Sequence, residues 1–168
     1  MYSQDLPQKI LRLPVNVSQE SLTQIEQNLQ KLNYQTRLAH LAGYFEGEGC
    51  IYFNHNRNNA PLLVIKVASG DKSILEKFAE TFGGEIKKTK TSKIAKRQMW
   101  RWEQWGQQAQ ETIKLLSPFF IDVKKELAFL ALVPIFNIRG KNISEEEREI
   151  RNCVAAQVSA LNNRITLQ

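Results

Sequence analysis

Two acidic residues stand in a short glycine-rich stretch of the chain. Glu46 and Glu48 alternate with Gly47 and Gly49, after an apolar pattern at helical spacing and before a strand-like run. A carboxylate at the C-terminal end of a helix opposes the helix dipole, so its presence there favours a chemical role over a stabilising one. Carboxylates and the free carbonyls of a helix end are oxygen ligands that hard divalent cations prefer. The stretch is therefore a candidate metal site.

Other catalytic chemistries find less support in the sequence. His40 and His55 are the two histidines, and neither belongs to a zinc-type cluster, although Asn54-His55-Asn56 is similar to a fragment of an HNH nuclease. We find no nucleophile elbow, P-loop or dinucleotide-binding glycine pattern. Cys50 and Cys153 are too few for a disulfide framework, which favours a reducing, intracellular setting.

Composition and charge narrow the class of protein. The 168 residues are 42% hydrophobic, which predicts one folded domain, with room for a small appendage, and we expect no signal peptide and no membrane partner. There are 23 basic and 17 acidic residues, and the net charge is +6. Much of the excess falls between Glu85 and Trp105, which indicates a polyanionic partner. The basic residues there are Lys87, Lys88, Lys90, Lys93, Lys96, Arg97 and Arg101.

Periodicity and turn signals predict an α+β fold with one mostly antiparallel four-stranded sheet. We expect an N-terminal arm and helix over residues 1–36 and a second domain over residues 37–168. Pro134 is expected to bend the helix that contains it, and Ser144 with Glu147 forms a capping-box pattern. The predicted helices cover residues 18–32, 37–47, 71–82, 107–116, 124–136 and 144 onwards, and the predicted strands cover 50–56, 62–69, 85–89 and 97–105.

The nonapeptide Leu41-Ala42-Gly43-Tyr44-Phe45-Glu46-Gly47-Glu48-Gly49 resembles the LAGLIDADG motif of homing endonucleases. The order of predicted elements over residues 38–136 is similar to that family's αββαββα core, and a single motif in a short chain resembles the homodimeric branch. The family usually has aspartate at the position of Glu48. The resemblance implies an intron-encoded, Mg²⁺-dependent DNA endonuclease, in whose sites Mn²⁺ or Ca²⁺ can replace Mg²⁺. Its target is long and approximately palindromic, and its compartment is an organelle or a bacterial cytoplasm.

The resemblance also implies roles for individual residues. Glu48 takes the place of the metal-binding acid, with the Gly47 carbonyl as a second ligand, whereas Glu46 stands where the family usually has no ligand. Lys124, with Lys125 as the alternative, takes the place of the lysine that polarises the active-site solvent. The polar residue at the end of the second strand corresponds to Ser69, with Lys72 as a basic neighbour.

Alternation along the strands then predicts which side chains face DNA. On the first strand pair, even-numbered side chains are expected on the face of Glu48, whereas Ile51 and Phe53 point to the core. On the later pair, odd-numbered side chains are expected on that face, whereas Trp100 and Trp102 alternate with them and pack inward. Arginine and lysine suit guanine edges, asparagine suits adenine, and a β-ribbon fits the major groove. The predicted DNA-contacting residues are Tyr52, Asn54, Asn56, Asn58, Lys66, Lys87, Thr89, Lys90, Lys93, Arg97, Arg101 and Glu103.

A stripe of small residues suggests how two copies meet. Ala39, Gly43 and Gly47 recur every four residues, which permits close approach of a second helix at a dimer interface. An ordinary helix that ends in a glycine-rich turn explains the same pattern. Two other functions use the same fold: an intron RNA-splicing cofactor (maturase), and a DNA-binding repressor that does not cut.

Overall fold

The computed structural model of the chain describes residues 19–55, 60–89, 98–136 and 143–166. The predicted N-terminal arm and five of the predicted DNA-contacting residues lie outside the described residues: Asn56, Asn58, Lys90, Lys93 and Arg97. The elements in chain order are α1 (Gln19–Glu48), β1 (Gly49–Asn54), β2 (Leu62–Ser69), α2 (Lys72–Phe82), β3 (Glu85–Lys88), β4 (Trp100–Trp105), α3 (Gly106–Leu116), a 3₁₀ turn (Ser117–Phe119), α4 (Val123–Ala131) and α5 (Glu145–Thr166).

The four strands form one antiparallel sheet in the order β1-β2-β4-β3, which confirms the predicted α+β class. Helices α2 and α3 pack against β2 and β4, and helices α4 and α5 pack against β1. The predicted alternation holds on β1 and β2, where Ile51, Phe53, Ile65 and Val67 are buried in the core. One face of the sheet is therefore covered by helices, and the other, which we call the open face, carries the remaining side chains.

The prediction of two helices over residues 18–47 is wrong, because α1 is one continuous helix of 30 residues. The predicted break fell at Asn33 to Thr36, where apolar periodicity stops. That stretch contains neither glycine nor proline, and the Thr36 hydroxyl donates to the Leu32 carbonyl at 2.9 Å. From Asn33 to Arg37 every side chain is exposed and the apolar spacing of the preceding stretch is not continued, so no periodic signal in the sequence joins the two helical stretches.

The other helix ends follow ordinary capping rules. Asp71 caps α2 by accepting from the Ser73 amide at 2.9 Å, and Gly83, with φ of 74°, ends that helix. Helix α4 stops at Ala131 rather than at the predicted Phe136, because Pro134 disfavours helical backbone before it and has no amide to donate. At the start of α5 the Ser144 hydroxyl accepts from the Glu147 amide at 3.1 Å.

Backbone contacts divide the chain into two units, Met1–Arg37 and Leu38–Gln168. In the first unit the structure describes the N-terminal part of α1, and the second unit contains the sheet and the other helices. None of the described helices has the length and apolar character needed to cross a membrane.

Candidate functional site

The end of α1 places Glu48 at the junction between helix and sheet. Leu41 and Phe45 are fully buried, so they fix one side of the helix in the core. A Cβ at Gly49 would lie 2.4 Å from the Phe45 carbonyl oxygen, too close for any residue but glycine. Gly49 thus lets the chain pass directly from α1 into β1. This geometry holds Glu48 at the edge of the sheet.

The Glu48 side chain is exposed, and it makes no hydrogen bond or ion pair with any residue that the structure describes. The same described residues contain no group of three or more His, Cys, Asp or Glu side chains placed to hold a metal ion. The chain therefore offers one free carboxylate beside the carbonyls of a helix end. An all-oxygen set of this kind fits Mg²⁺ or Ca²⁺, and Mg²⁺ in particular takes one or two carboxylates and completes its shell with water and phosphate oxygens.

Glu46, two residues earlier, has a different environment. Its Oε1 accepts from the backbone amides of Ile121 and Asp122, at 2.6 and 3.0 Å. These amides precede α4, and the Asp122 side chain makes no capping hydrogen bond of its own. Glu46 therefore caps α4 from a distant part of the chain, and its negative charge lies near the positive end of that helix. This contact fixes the position of α4 relative to the end of α1.

Lys124, in the first turn of α4, reaches back to the same junction. Its Nζ donates to the Gly49 carbonyl oxygen, next to Glu48. Burial lowers the pKa of Lys124, while Cys50 and Glu46 act in the opposite direction. Lys125 is instead exposed and lines a surface groove with Phe129 and Leu161. Of the two lysines that the sequence left open, the structure brings Lys124 to the Glu48 turn.

Ser69 and Lys72 have structural partners. Ser69 pairs with Trp100 at the end of β2, two residues beyond Val67, the cross-strand partner of Gly49. Its hydroxyl oxygen accepts from the Tyr44 hydroxyl at 2.9 Å and from the Asp71 amide at 3.0 Å, and the residue is 7% exposed. These contacts stabilise the turn before α2 and tie it to α1. The structure thus offers Ser69 a positioning role rather than contact with reacting groups.

The Lys72 ammonium forms an ion pair with Glu76 at 2.7 Å and lies 5.3 Å from the centre of the Trp100 ring. Both contacts hold this side chain along the start of α2. The structure therefore gives Lys72 partners other than the Glu48 turn.

Charged groups on the open face form a connected cluster. Lys87 contacts the Glu103 carboxylate at 2.8 Å and Glu85 at 2.7 Å, and Arg101 contacts the other oxygen of Glu103 at 3.3 Å. Lys66, directly opposite Glu103 on β2, lies over the Tyr52 ring at 5.0 Å. The two carboxylates raise the pKa of Lys87, and burial followed by the charges of Cys50 and Glu103 raises that of Tyr52. We call these residues the open-face cluster.

Glu103 was predicted to contact DNA, but its side chain is buried. It has the predicted parity, but its side chain is only 5% exposed, whereas Lys87 and Arg101 are each 45% exposed. The carboxylate thus lies beneath the two cations and holds them in place. Thr89 is also engaged, because its hydroxyl donates to the Met99 carbonyl at 2.8 Å and closes the β3–β4 pair.

Tyr52 is half-buried and Asn54 exposed on the open face, as the alternation predicts. The same alternation, continued from Arg101 and Glu103, reaches Trp105, which the prediction omitted. Trp105 is 38% exposed and lies on this face opposite Val64. The alternation of side chains along β4, extended to the last residue of the strand, predicts that Trp105 lies on the open face.

Comparison with known proteins agrees with this architecture. The homing endonuclease I-CvuI, in complex with the I-CreI target in the presence of Mg and with the DNA not cleaved, superimposes with a TM-score of 0.62 at 21% identity, over 77% of this chain and 83% of that one. The archaeal intron-encoded homing endonuclease I-Vdi141I, complexed with DNA, gives a TM-score of 0.53 at 12% identity, over 75% and 84% of the two chains.

These two likenesses show the fold. No curated protein matches the sequence. The sequence model described as LAGLIDADG endonuclease matches residues 41–136, which is more than half of the chain. The chain therefore belongs to the LAGLIDADG endonuclease family.

Proposed function

We propose that the chain is a site-specific homing endonuclease that makes a double-strand break in DNA by metal-dependent hydrolysis. The observation that carries the proposal is the free Glu48 carboxylate, exposed at a helix end beside the half-buried Lys124. A carboxylate kept for stability would be paired with a neighbouring donor, as Glu46 is with the amides of Ile121 and Asp122. The DNA complexes of the structurally similar proteins support a duplex DNA partner.

The open face is the surface that would contact the duplex. Lys66, Lys87 and Arg101 supply donors to guanine edges or phosphates, and Asn54 supplies an amide that suits adenine. Lys87 and Arg101 are already held by Glu103, so less side-chain entropy is lost when they bind. The free Glu48 ends α1 immediately before β1, next to the sheet that would read the DNA sequence.

At the junction, Glu48 and the Gly47 carbonyl would hold the divalent cation. When bound, such a cation lowers the pKa of a water molecule and stabilises charge on the leaving oxygen. The Lys124 ammonium, which donates to the Gly49 carbonyl, has two further N–H donors for solvent or phosphate oxygens. Glu46 keeps Lys124 within reach by capping the helix on which it stands.

A homodimer would supply the second site that a double-strand break requires. A Cβ added to Gly43 or to Gly47 meets no heavy atom within 4 Å, so nothing described in this chain requires glycine there. Glycine in a helix interior costs about 1 kcal/mol relative to alanine. Close approach by the same helix of a second copy gives a reason for both residues. A symmetric dimer would then read an approximately palindromic target.

The test is a cleavage selection with the purified full chain. A supercoiled plasmid library with a randomised insert is incubated with Mg²⁺, and linear products are isolated and sequenced at their ends. We expect recurrent cut sites with approximate two-fold symmetry, lost when EDTA replaces Mg²⁺ and absent with Glu48→Gln. Selective binding without cutting by the unsubstituted chain would instead favour a DNA-binding protein without nuclease activity.

A further inference from the structure

The N-terminal part of α1 carries an apolar stripe that the endonuclease function does not use. Leu22, Ile25, Leu29 and Leu32 are 41%, 48%, 54% and 58% exposed. Their spacing is three, four and three residues, the pattern of the a and d positions of a seven-residue repeat. A helix that covers a globular core carries a wider apolar face, whereas a stripe confined to a and d is typical of helices that pair with each other.

The repeat continues in the sequence beyond this stripe. The next a and d positions are Thr36, Ala39 and Gly43, so two of the three small residues of the proposed dimer interface share the register of the apolar residues, whereas Gly47 falls on an e position. The core-facing residues of the later part, Leu41 and Phe45, fall outside these positions and are buried in the chain's own domain.

We infer that residues 22–32 of α1 form a short parallel coiled coil with the same segment of a second copy of this chain. The inference rests on the homodimer of the proposed function, in which both Glu48 residues act on one DNA and the two α1 helices therefore run in the same direction. The flanking e and g positions are Glu26, Asn28, Asn33 and Gln35. With a single charged residue among them, a parallel pair places no like charges opposite each other at these positions.

Two repeats are too short to pair stably by themselves, since coiled coils usually extend over three or four repeats. In the proposed dimer the small-residue stripe already brings the two helices together, and the second contact then forms at a high effective concentration. The apolar stripe would accordingly strengthen a dimer whose first contacts are made by the small-residue stripe.

The experiment compares two variants of the full chain by sedimentation equilibrium. Leu29→Gln combined with Leu32→Gln removes half of the stripe, and glutamine keeps a helix propensity close to that of leucine. We expect the dimer dissociation constant to rise by about tenfold or more, because each leucine loses apolar burial on association. The control is Tyr34→Gln, which removes a 45% exposed side chain from an f position of the same helix and should leave the constant unchanged.

A cross-linking measurement keeps the inference testable if the double variant loses helix content. In a Cys153→Ser background, Ile25→Cys at a d position should oxidise to a covalent dimer, and Tyr34→Cys should not. An unchanged dissociation constant together with no Ile25→Cys dimer would overturn the coiled coil and leave the endonuclease proposal intact. A monomeric parent chain would overturn both the homodimer and the coiled coil, whereas a dimer that responds as expected but does not cut DNA would overturn the nuclease alone.

Discussion

The last turn of α1 and the open-face cluster both carry charge, but the charges are paired in the cluster and the Glu48 carboxylate is unpaired among the described residues. On the open face Glu103 is buried beneath Lys87 and Arg101, so each charge is oriented by another. At the end of α1 the Glu48 carboxylate has no partner among the described residues, although Lys124 of α4 donates to the carbonyl of Gly49, the next residue. Paired charges define a fixed surface, and an unpaired carboxylate is available to a ligand from outside the chain. The first arrangement suits recognition and the second suits catalysis.

Removing the unpaired charge gives the largest expected effect. Glu48→Gln keeps the shape of the side chain and removes the charge that would hold the cation, so plasmid cleavage should fall by about 10³-fold or more. DNA affinity should hold or rise, because repulsion from phosphates is reduced. Mixed dimers with one Glu48→Gln subunit should nick a single strand. Double-strand cutting near the normal rate would remove Glu48 from the mechanism.

Substituting a residue of the small-residue stripe should have the next largest effect. Gly43→Leu should separate the two helices, because a Cβ at this position meets no heavy atom within 4 Å in the single chain, whereas a close helix crossing leaves no room for a leucine side chain. Sedimentation should show monomer, and double-strand cutting should be lost with the fold intact. Gly83→Ala, at a positive φ where no interface is proposed, is the contrasting change: it should destabilise the fold without dissociating the dimer. A fully active Gly43→Leu dimer would exclude this packing.

Substituting Lys124 tests the basic group at the Glu48 turn. Lys124→Met keeps the apolar stem and removes the ammonium, so cleavage should fall by about 10²-fold at unchanged DNA affinity. The matched control is Lys125→Met, one residue on and exposed, for which we expect a change below threefold. Equal losses from the two variants would mean that a general loss of positive charge explains the result.

The pH dependence of cleavage should report the protonation of Lys124. Because burial lowers the pKa of Lys124, this group loses its proton at a lower pH than an ordinary lysine. Cleavage should fall as pH rises through that lowered pKa, and Lys124→Arg should remove this alkaline fall. The unfolding free energy has the opposite trend: it rises between the folded and the unfolded pKa values, because the unfolded state binds more protons there.

Releasing the paired charges should have a smaller and different effect. Glu103→Gln keeps hydrogen bonding but frees Lys87 and Arg101, so discrimination between the target and a single-base variant should drop by about tenfold. The salt dependence of binding should steepen, since one more positive charge is available to phosphates. Glu85→Gln is the control, because its carboxylate is exposed and, within the part of the chain that the structure describes, its ion pair is with Lys87. Unchanged discrimination would assign Glu103 to stability only.

The smallest expected effect on chemistry comes from Glu46. Glu46→Gln removes the charge that caps α4, so the unfolding free energy should fall by about 1 kcal/mol in thermal or urea denaturation. Cleavage should decrease by less than tenfold, through looser placement of Lys124. Glu126→Gln, in the first turn of the same helix, serves as the comparison for charge alone. A loss as large as that of Glu48→Gln would make Glu46 a ligand rather than a cap.

The sequence predicted those features that depend on neighbouring residues. Alternation placed Ile51 and Phe53 inside and Asn54 outside, because strand geometry alone decides the face. It did not predict that α1 is continuous, since periodicity reports burial and the segment around Tyr34 is exposed on all sides. It could not assign Glu46 to the amides of Ile121 and Asp122, because that contact joins residues 75 and 76 positions apart. The choice of Lys124 over Lys125 depended on the same long-range packing.

The two links between the end of α1 and the start of α4 also affect the order of events during synthesis. Both join residues about 75 positions apart, through Glu46 with Ile121 and through Lys124 with Gly49. Contacts of such high sequence separation cost more loop-closure entropy than local ones, so we expect them to form after the sheet between them. A nascent chain that has not yet reached Lys124 therefore lacks both links at the Glu48 turn. In the proposed endonuclease, cutting would begin only after these links have formed, so translation products that end before Lys124 would not cut DNA.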